Sequence, residues 1–265
     1  MPPSTTTLTL DIEARGLARV TLSRPDSMNA FDETMIEELT QVFTHLASDA
    51  AIRVIVLAAA GKAFCAGADL RWMERQSQHG PADNLADAQR FAHMMQLIYE
   101  CPKPVIARVQ GSAYGGGVGL ICACDIVVAS AQARFVISEA KFGILPAVIS
   151  PYVTNAVGKR HAARLALTAE LFDAAFAEKI GLAHEVVDAD SLDAAVEKFV
   201  TQMLANGPLA LGEIKHLFQY LSVGPIDETV RQHTAQTIAR LRATPEAKEG
   251  FAAFLGKRAP TWQNK

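Results

Sequence analysis

Apolar residues alternate with polar ones from Leu8 to Ile12 and again through Val20 and Leu22, with Gly16 between them, a period of two that predicts a strand hairpin ending at Arg24-Pro25. The period then lengthens. Asp32 can cap a helix whose apolar residues Met35, Ile36, Leu39, Val42, Phe43 and Leu46 fall on one face. Val54 to Leu57 is apolar without interruption, the pattern of a strand covered on both faces in a parallel sheet. It leads into a small-residue loop, Gly61-Lys62-Ala63-Phe64-Cys65-Ala66-Gly67-Ala68-Asp69-Leu70, with a helix expected to start near Asp69. Arg71 to Ala82 is polar and carries Gly80-Pro81, so it reads as a mobile segment able to cover a site.

A helix with Leu85, Phe91, Met95, Ile98 and Tyr99 on its apolar face follows and stops before Pro102. Pro104 opens a second strand, Val105 to Val109, which runs into Gly111-Ser112-Ala113-Tyr114-Gly115-Gly116-Gly117-Val118-Gly119 and a further helix. The chain has thus gone twice from strand to small-residue loop to helix, and in parallel sheets that end is where ligands bind. Strands are expected at Ile126 to Val128 and Phe135 to Ile137, just before Ser138-Glu139. Helical segments follow near Tyr152 to Val157, His161 to Leu167 and Asp173 to Lys179, then a short strand at Glu185-Val186-Val187. From Ser191 onward the pattern is helical: Leu192 to Leu204, Leu209 to Leu221, Ile226 to Leu241 and, capped by Thr244-Pro245, Glu246 to Leu255. The expected fold is an α/β core over residues 1–190 with a helical region over residues 191–265 that suits assembly.

The glycine cluster carries the chemistry. Three consecutive glycines at the start of a helix expose amides that have no intrahelical acceptor, and the helix dipole adds positive charge, so the place suits an anionic oxygen. Close packing of helix on strand would need only one or two. A dinucleotide fingerprint read from Gly115 or Gly117 meets Leu120 or Cys122 where a third small residue belongs, although Glu139 lies about twenty residues on and keeps that rival alive. No phosphate-loop lysine follows, and no G-x-S-x-G elbow exists in the chain. A carbonyl oxygen that becomes an oxyanion fits better than a phosphate, because the loop holds no lysine or arginine.

Composition narrows the partners. The 265 residues are 50% hydrophobic and 20% charged, with a net charge of −3, which offers no general attraction to nucleic acid or to an anionic membrane. Small molecules and copies of the chain itself are the expected partners. Cys65, Cys101, Cys122 and Cys124 lack metal-ligand spacing and read as buried free thiols. Met1 to Thr7 has no basic and then apolar signal region, so a soluble cytoplasmic protein without metal is expected.

Several stretches together resemble the crotonase (enoyl-CoA hydratase/isomerase) superfamily. These are the Gly61 to Leu70 loop, Pro104-Val105-Ile106-Ala107, the triple glycine, Cys124-Asp125-Ile126 and Ala133-Arg134-Phe135 before Glu139. Ser23-Arg24-Pro25 with Asn29-Ala30 and the tail Ala253-Phe254-Leu255-Gly256-Lys257-Arg258 match its two ends. The resemblance implies a spiral of ββα units with a C-terminal helical oligomerisation region, assembled as a trimer or a dimer of trimers. It implies an acyl-CoA substrate and no other cofactor. The backbone amides of Ala68 and Gly116 would hold the thioester oxygen, and Glu139 would be the catalytic carboxylate. Asp26, Ser27, Met28 and Ala66 would contact CoA, joined by Phe254 and Lys257, often across a subunit boundary.

Two departures stand out. Hydratases of the family carry a glutamate two residues after the triple glycine, and here that position is Gly119, expected to leave space in a substrate pocket with Tyr114 and Ala147. Leu145-Pro146-Ala147-Val148-Ile149-Ser150-Pro151-Tyr152 replaces a glycine-rich turn, and with Gly119 it is similar to the branch that hydrates methylglutaconyl- or isohexenylglutaconyl-type CoA esters. The leading expectation is therefore an enoyl-CoA hydratase. A Δ3,Δ2-enoyl-CoA isomerase using one carboxylate and a CoA-binding protein with little activity are the alternatives.

Overall fold

The computed structural model describes residues 3–263, so the outermost positions of the two expected regions, 1–2 and 264–265, lie outside the described residues. Strands β1 (Leu8–Ile12) and β2 (Leu17–Leu22) form the expected antiparallel hairpin. Helix α1 (Glu33–Ser48) starts where Asp32 accepts the Met35 N–H at 2.9 Å, and it buries the apolar face read from its period of 3.6. Then a pattern repeats. Strand β3 (Val54–Ala59) is followed at once by β4 (Ala63–Cys65), then by α2 (Leu70–Gln76) and α3 (Pro81–Tyr99). In the same way β5 (Val105–Val109) leads to β6 (Ser112–Tyr114) and α4 (Gly116–Cys122), and β7 (Ile126–Ser130) leads to β8 (Arg134–Val136) and α5 (Ser150–Thr168).

Each turn of this spiral gives one strand to a large sheet and one to a small sheet. Strand β9 (Phe172–Asp173), helix α6 (Ala174–Lys179) and strand β10 (Glu185–Val187) complete them, in the orders β1-β2-β3-β5-β7-β10 and β4-β6-β8-β9. From β2 through β10 the large sheet is parallel, and so is the small one from β4 through β8. The architecture is the expected α/β spiral.

Burial explains the uninterrupted apolar runs. On one face of the large sheet Ile55 and Leu57 join Met35, Leu39, Phe43 and Ile98 in the main core. On the other, Leu17, Val54, Val56, Ile106 and Val128 meet Leu192, Val196 and Val200 of α7 (Leu192–Ala205), so the first helix of the C-terminal region shares a core with the sheet. Helices α8 (Pro208–Tyr220), α9 (Glu228–Arg242) and α10 (Pro245–Leu255) follow. Lys215 pins α8: its buried ammonium donates to Asp125 at 2.8 Å, and the same carboxylate oxygen accepts the Val105 N–H at 2.7 Å. Burial pushes Asp125 up, and Lys215 pulls against that. No helix among the described residues is long and apolar enough to cross a membrane.

Three local expectations are corrected. Ala63–Cys65 and Ser112–Tyr114 are strands rather than loop; three residues are too few to show a period. Residues 71–82 are mostly helical, because Asp69 caps α2 and Pro81 occupies the first position of α3, where proline is favoured, leaving only residues 77–80 between the helices. The two segments expected across residues 152–167 form one helix, α5, kinked at Gly158.

Candidate active site

Strands β4, β6 and β8 lie side by side and parallel, with Cys65 beside Ala113 and Tyr114 beside Val136. Their carboxyl ends therefore deliver Ala66-Gly67-Ala68, Gly115-Gly116 and Ser138-Glu139 to one edge. That edge borders a cavity of about 1290 Å³, which is lined by all of these residues. Parallel strands place ligand sites there because the loops after them carry free amides.

The Ala68 amide is freed by pairing on its other side. Segment Met28–Phe31 runs alongside the loop, with the Ala66 N–H on Met28 O at 3.0 Å, the Phe31 N–H on Gly67 O at 2.7 Å and the Asp69 N–H on Phe31 O at 2.7 Å. Phe31 and Ala68 are thus bridge partners, and the alternation of an extended backbone turns the Ala68 N–H away from Phe31. Gly115 sets the second amide. Its φ of 49° and ψ of −118° lie where side chains are excluded, its own N–H donates to Val136 O at 2.8 Å, and α4 begins at the next residue. Among the described residues, neither the Ala68 nor the Gly116 N–H donates to a protein acceptor. A Cβ on Gly67 would lie 3.0 Å from Tyr114 O and 3.9 Å from Gly116 N, so the two loops abut.

The other glycines have different reasons. A Cβ on Gly117 would sit 2.5 Å from Cys65 O, which is the packing role of helix on strand. A Cβ on Gly116 would meet the edge of the Phe31 ring at 2.7 Å and of Phe91 at 3.3 Å, and both rings line the cavity. Gly119 corrects the sequence expectation. A Cβ there would lie 2.2 Å from Cγ2 and 2.7 Å from Cβ of Ile149, so the expected space is already filled. Ile149 lines the cavity in its place, together with Tyr114 and Ala147.

Glu139 opens a short 3-10 turn, Glu139–Phe142, and packs its carboxylate against the glycine turn: Oε1 is 3.0 Å from where a Gly115 Cβ would stand. Oε2 is buried and has no hydrogen-bond partner among the described residues. Burial pushes this carboxyl above its usual value, and the neighbouring Ser138 and Glu139 amides offset only part of that. The other inner carboxylates are committed. Arg24 holds Asp32 at 3.0 Å and Asp69 at 3.1 Å. Burial alone would raise Asp69, yet the Trp72 and Arg71 amides with Arg24 more than compensate and keep it below its usual value. The two carboxyls are thus pushed in opposite directions, Glu139 toward holding a proton and Asp69 toward staying ionised. Cys65, next to the loop, is no nucleophile, since full burial pushes its thiol up to about 12.

Asp26, Ser27, Met28 and Ala66 line the mouth of the same cavity, with Met28 half-exposed in a left-handed turn. Buried Asn29 holds that turn in place by donating to Ala60 O at 2.8 Å and Ala63 O at 2.9 Å while accepting the Arg24 N–H at 2.8 Å. Phe254 and Lys257 are different. Phe254 is 83% exposed on α10, Lys257 follows that helix, and neither lines the cavity of the single chain. The sequence does not single out Phe31, Trp72 or Ile149 as site residues, although Phe31 follows the Asn29-Ala30 pair and Ile149 lies in the Leu145 to Tyr152 run.

The chain is similar to known proteins over nearly its whole length. The family model for Enoyl-CoA hydratase/isomerase matches residues 13–265. An enoyl-CoA hydratase of solved structure from Shewanella pealeana is 44% identical with a TM-score of 0.94, covering 97% of this chain and 96% of that one. The 1,2-epoxyphenylacetyl-CoA isomerase of Escherichia coli is 31% identical over 95% of this chain and 96% of its own. The (E)-benzylidenesuccinyl-CoA hydratase of Thauera aromatica is 30% identical over 97% and 98%.

Proposed function

The chain belongs to the enoyl-CoA hydratase/isomerase family, and we propose that within it this enzyme is a hydro-lyase adding water across a 2-enoyl-CoA double bond, with a branched glutaconyl-type acyl group and the cytoplasm as its setting. One observation carries the reading: a buried carboxylate oxygen without a partner, on Glu139, beside the turn where the acceptor-free Ala68 and Gly116 amides face one cavity. Glu139 takes a proton from water as the water oxygen bonds to the β-carbon, and the double-bond electrons move onto the thioester oxygen. The two amides hold that enolate oxygen, each such donor being typically worth about 2.7–4 kcal/mol. Glu139 then returns its proton to the α-carbon, so water is added and the enzyme is regenerated.

A second reading, double-bond migration between the 3- and 2-positions, draws support from Gly119. No second carboxylate can stand where Ile149 packs, and one carboxylate is sufficient to carry a proton between two carbons. Incubating the protein with crotonyl-CoA, a 3-enoyl-CoA and a methylglutaconyl-type ester separates them by mass. Gain of one water supports hydration, migration without mass change supports the isomerase, and inertness toward all three would sink both. A glutaconyl-type acyl group draws indirect support from the carboxylate-bearing succinyl ester in the name of the Thauera relative.

The protein works as a homo-oligomer, a trimer or a dimer of trimers, built on α8–α10. In a single chain Phe218, Ile226, Phe254 and Leu255 are each at least 70% exposed, an unusual concentration of large apolar side chains on one terminal region. Assembly would also let Phe254 and Lys257 reach the CoA of a neighbouring subunit. Light scattering of the full chain tests this, and a monomer would overturn it.

A further inference from the structure

The cavity shares a wall with a second chamber. This chamber, of about 210 Å³, lies in the crook of the kinked helix α5, with Val153 before the Gly158 kink and Ala162 and Ala163 after it. Pro146 and Ile149 line both spaces, one on each side. The chamber's inner end is apolar, and its outer end reaches Lys159 and Ala163 at the surface. Its volume gives room for several methylenes along Ile137, Val153, Ala162 and Ala166, while Ser150 and Lys159 stand at its solvent-exposed side.

Ile149 is built as a fixed wall. It is 2% exposed, stands at the N-cap of α5, and presses its Cγ2 into the place left by Gly119. Its β-branched side chain has little rotamer freedom to swing aside. Gly119 is one helical turn beyond Gly116, about 4.5 Å along the axis of α4, and is buried where Gly116 is half-buried. Ile149 therefore bounds the cavity on the inner side of the oxyanion amide.

We infer that Ile149 is the specificity-determining stop for the acyl chain: it ends the acyl site at short or branched groups and shuts off the α5 chamber that a longer chain would enter. The inference rests on the reading that an acyl-CoA fills the larger cavity. It explains what Gly119 is for, since only glycine lets Ile149 stand that far in.

The test uses saturated butanoyl-, hexanoyl-, octanoyl- and decanoyl-CoA, which bind without reacting, with affinities measured by calorimetry on the full-length protein. In the wild type, affinity should level off by hexanoyl-CoA. Ile149→Ala should keep gaining, by about fourfold for each methylene that enters the chamber, through octanoyl-CoA. Adding Ala163→Phe, an exposed position that fills the chamber from its far side, should restore the plateau. Should Ile149→Ala fold poorly, Ile149→Val, measured with heptanoyl-CoA added to the series, should move the plateau by about one methylene; ratios within one sample do not depend on its folded fraction. A wild type that gains through decanoyl-CoA, or an Ile149→Ala or Ile149→Val plateau at the wild-type length, overturns the stop. Failure of every ester to bind would instead remove the acyl-CoA reading, and the stop with it.

Discussion

On the first turn of α4, Gly116 borders the cavity and its N–H has no acceptor among the described residues; one turn further, Gly119 is buried against Ile149 and does not line the cavity. The two positions look alike in sequence, yet one is glycine to present an amide and the other to admit a neighbour's methyl group. A missing side chain shows that something must come close. What comes close is set by the facing element, and there a ligand and a core isoleucine leave the same mark.

The comparison can be broken at its functional end first. Glu139→Gln keeps the shape of the site but removes the proposed proton carrier, so turnover should fall by about 10²–10⁴-fold while saturated acyl-CoA still binds. Near-normal turnover on the best substrate would show that the first-turn site works through another group. The pH profile sharpens this. A base held above its ordinary value of 4.5 must still be ionised to act, so kcat/KM should fall on the acid side with a midpoint above 4.5, and Glu139→Gln should lose that limb. A midpoint at or below the ordinary value would contradict the burial of the carboxyl.

Gly116→Pro and Gly116→Ala both add a Cβ against Phe31, and proline is tolerated at a first helical position, so the pair differs chiefly in the N–H. Proline should cost about 10²–10³-fold more in kcat, with circular dichroism unchanged between the two. Equal activities would take the amide out of the mechanism.

At the packing end the expected effect is on stability. Gly119→Ala should lose about 1–3 kcal/mol by urea unfolding, the usual range for overpacking, and part should return when Ile149→Val is added. Strict additivity of the two changes would mean that Ile149 does not wedge against Gly119. Gly119→Glu puts back the glutamate that hydratases of the family carry, yet it is expected to destabilise the protein without speeding hydration of crotonyl-CoA.

The smallest effect concerns Glu139 again. A carboxyl with a raised native pKa lends its favourable contribution below the unfolded value and loses it as pH rises through the native one, so the ionised group is a cost at neutral pH. Glu139→Gln should raise Tm at pH 7 and leave it nearly unchanged at pH 3. An equal rise at both would assign the effect to packing rather than charge.

Short-range chemistry was enough for much of this molecule. Asp32 and Thr244 cap the helices they precede, Asp69 starts α2, and the period of 3.6 places the buried face of α1 because these signals involve residues within a turn or two of one another. The glycine turn can be read for the same reason, whereas Glu139 and the loop at Asp26 to Met28 stand out only through the resemblance to the ordered motifs of a known family. Tertiary structure decided the rest. Strands β4 and β6 have no readable period and exist because the spiral brings them side by side. The partner of Gly119 comes from the start of α5, and Phe254 stays exposed on α10 of the single chain, away from the cavity. Contacts between elements distant in sequence depend on the fold as a whole, and no local pattern encodes which side chain fills a given gap.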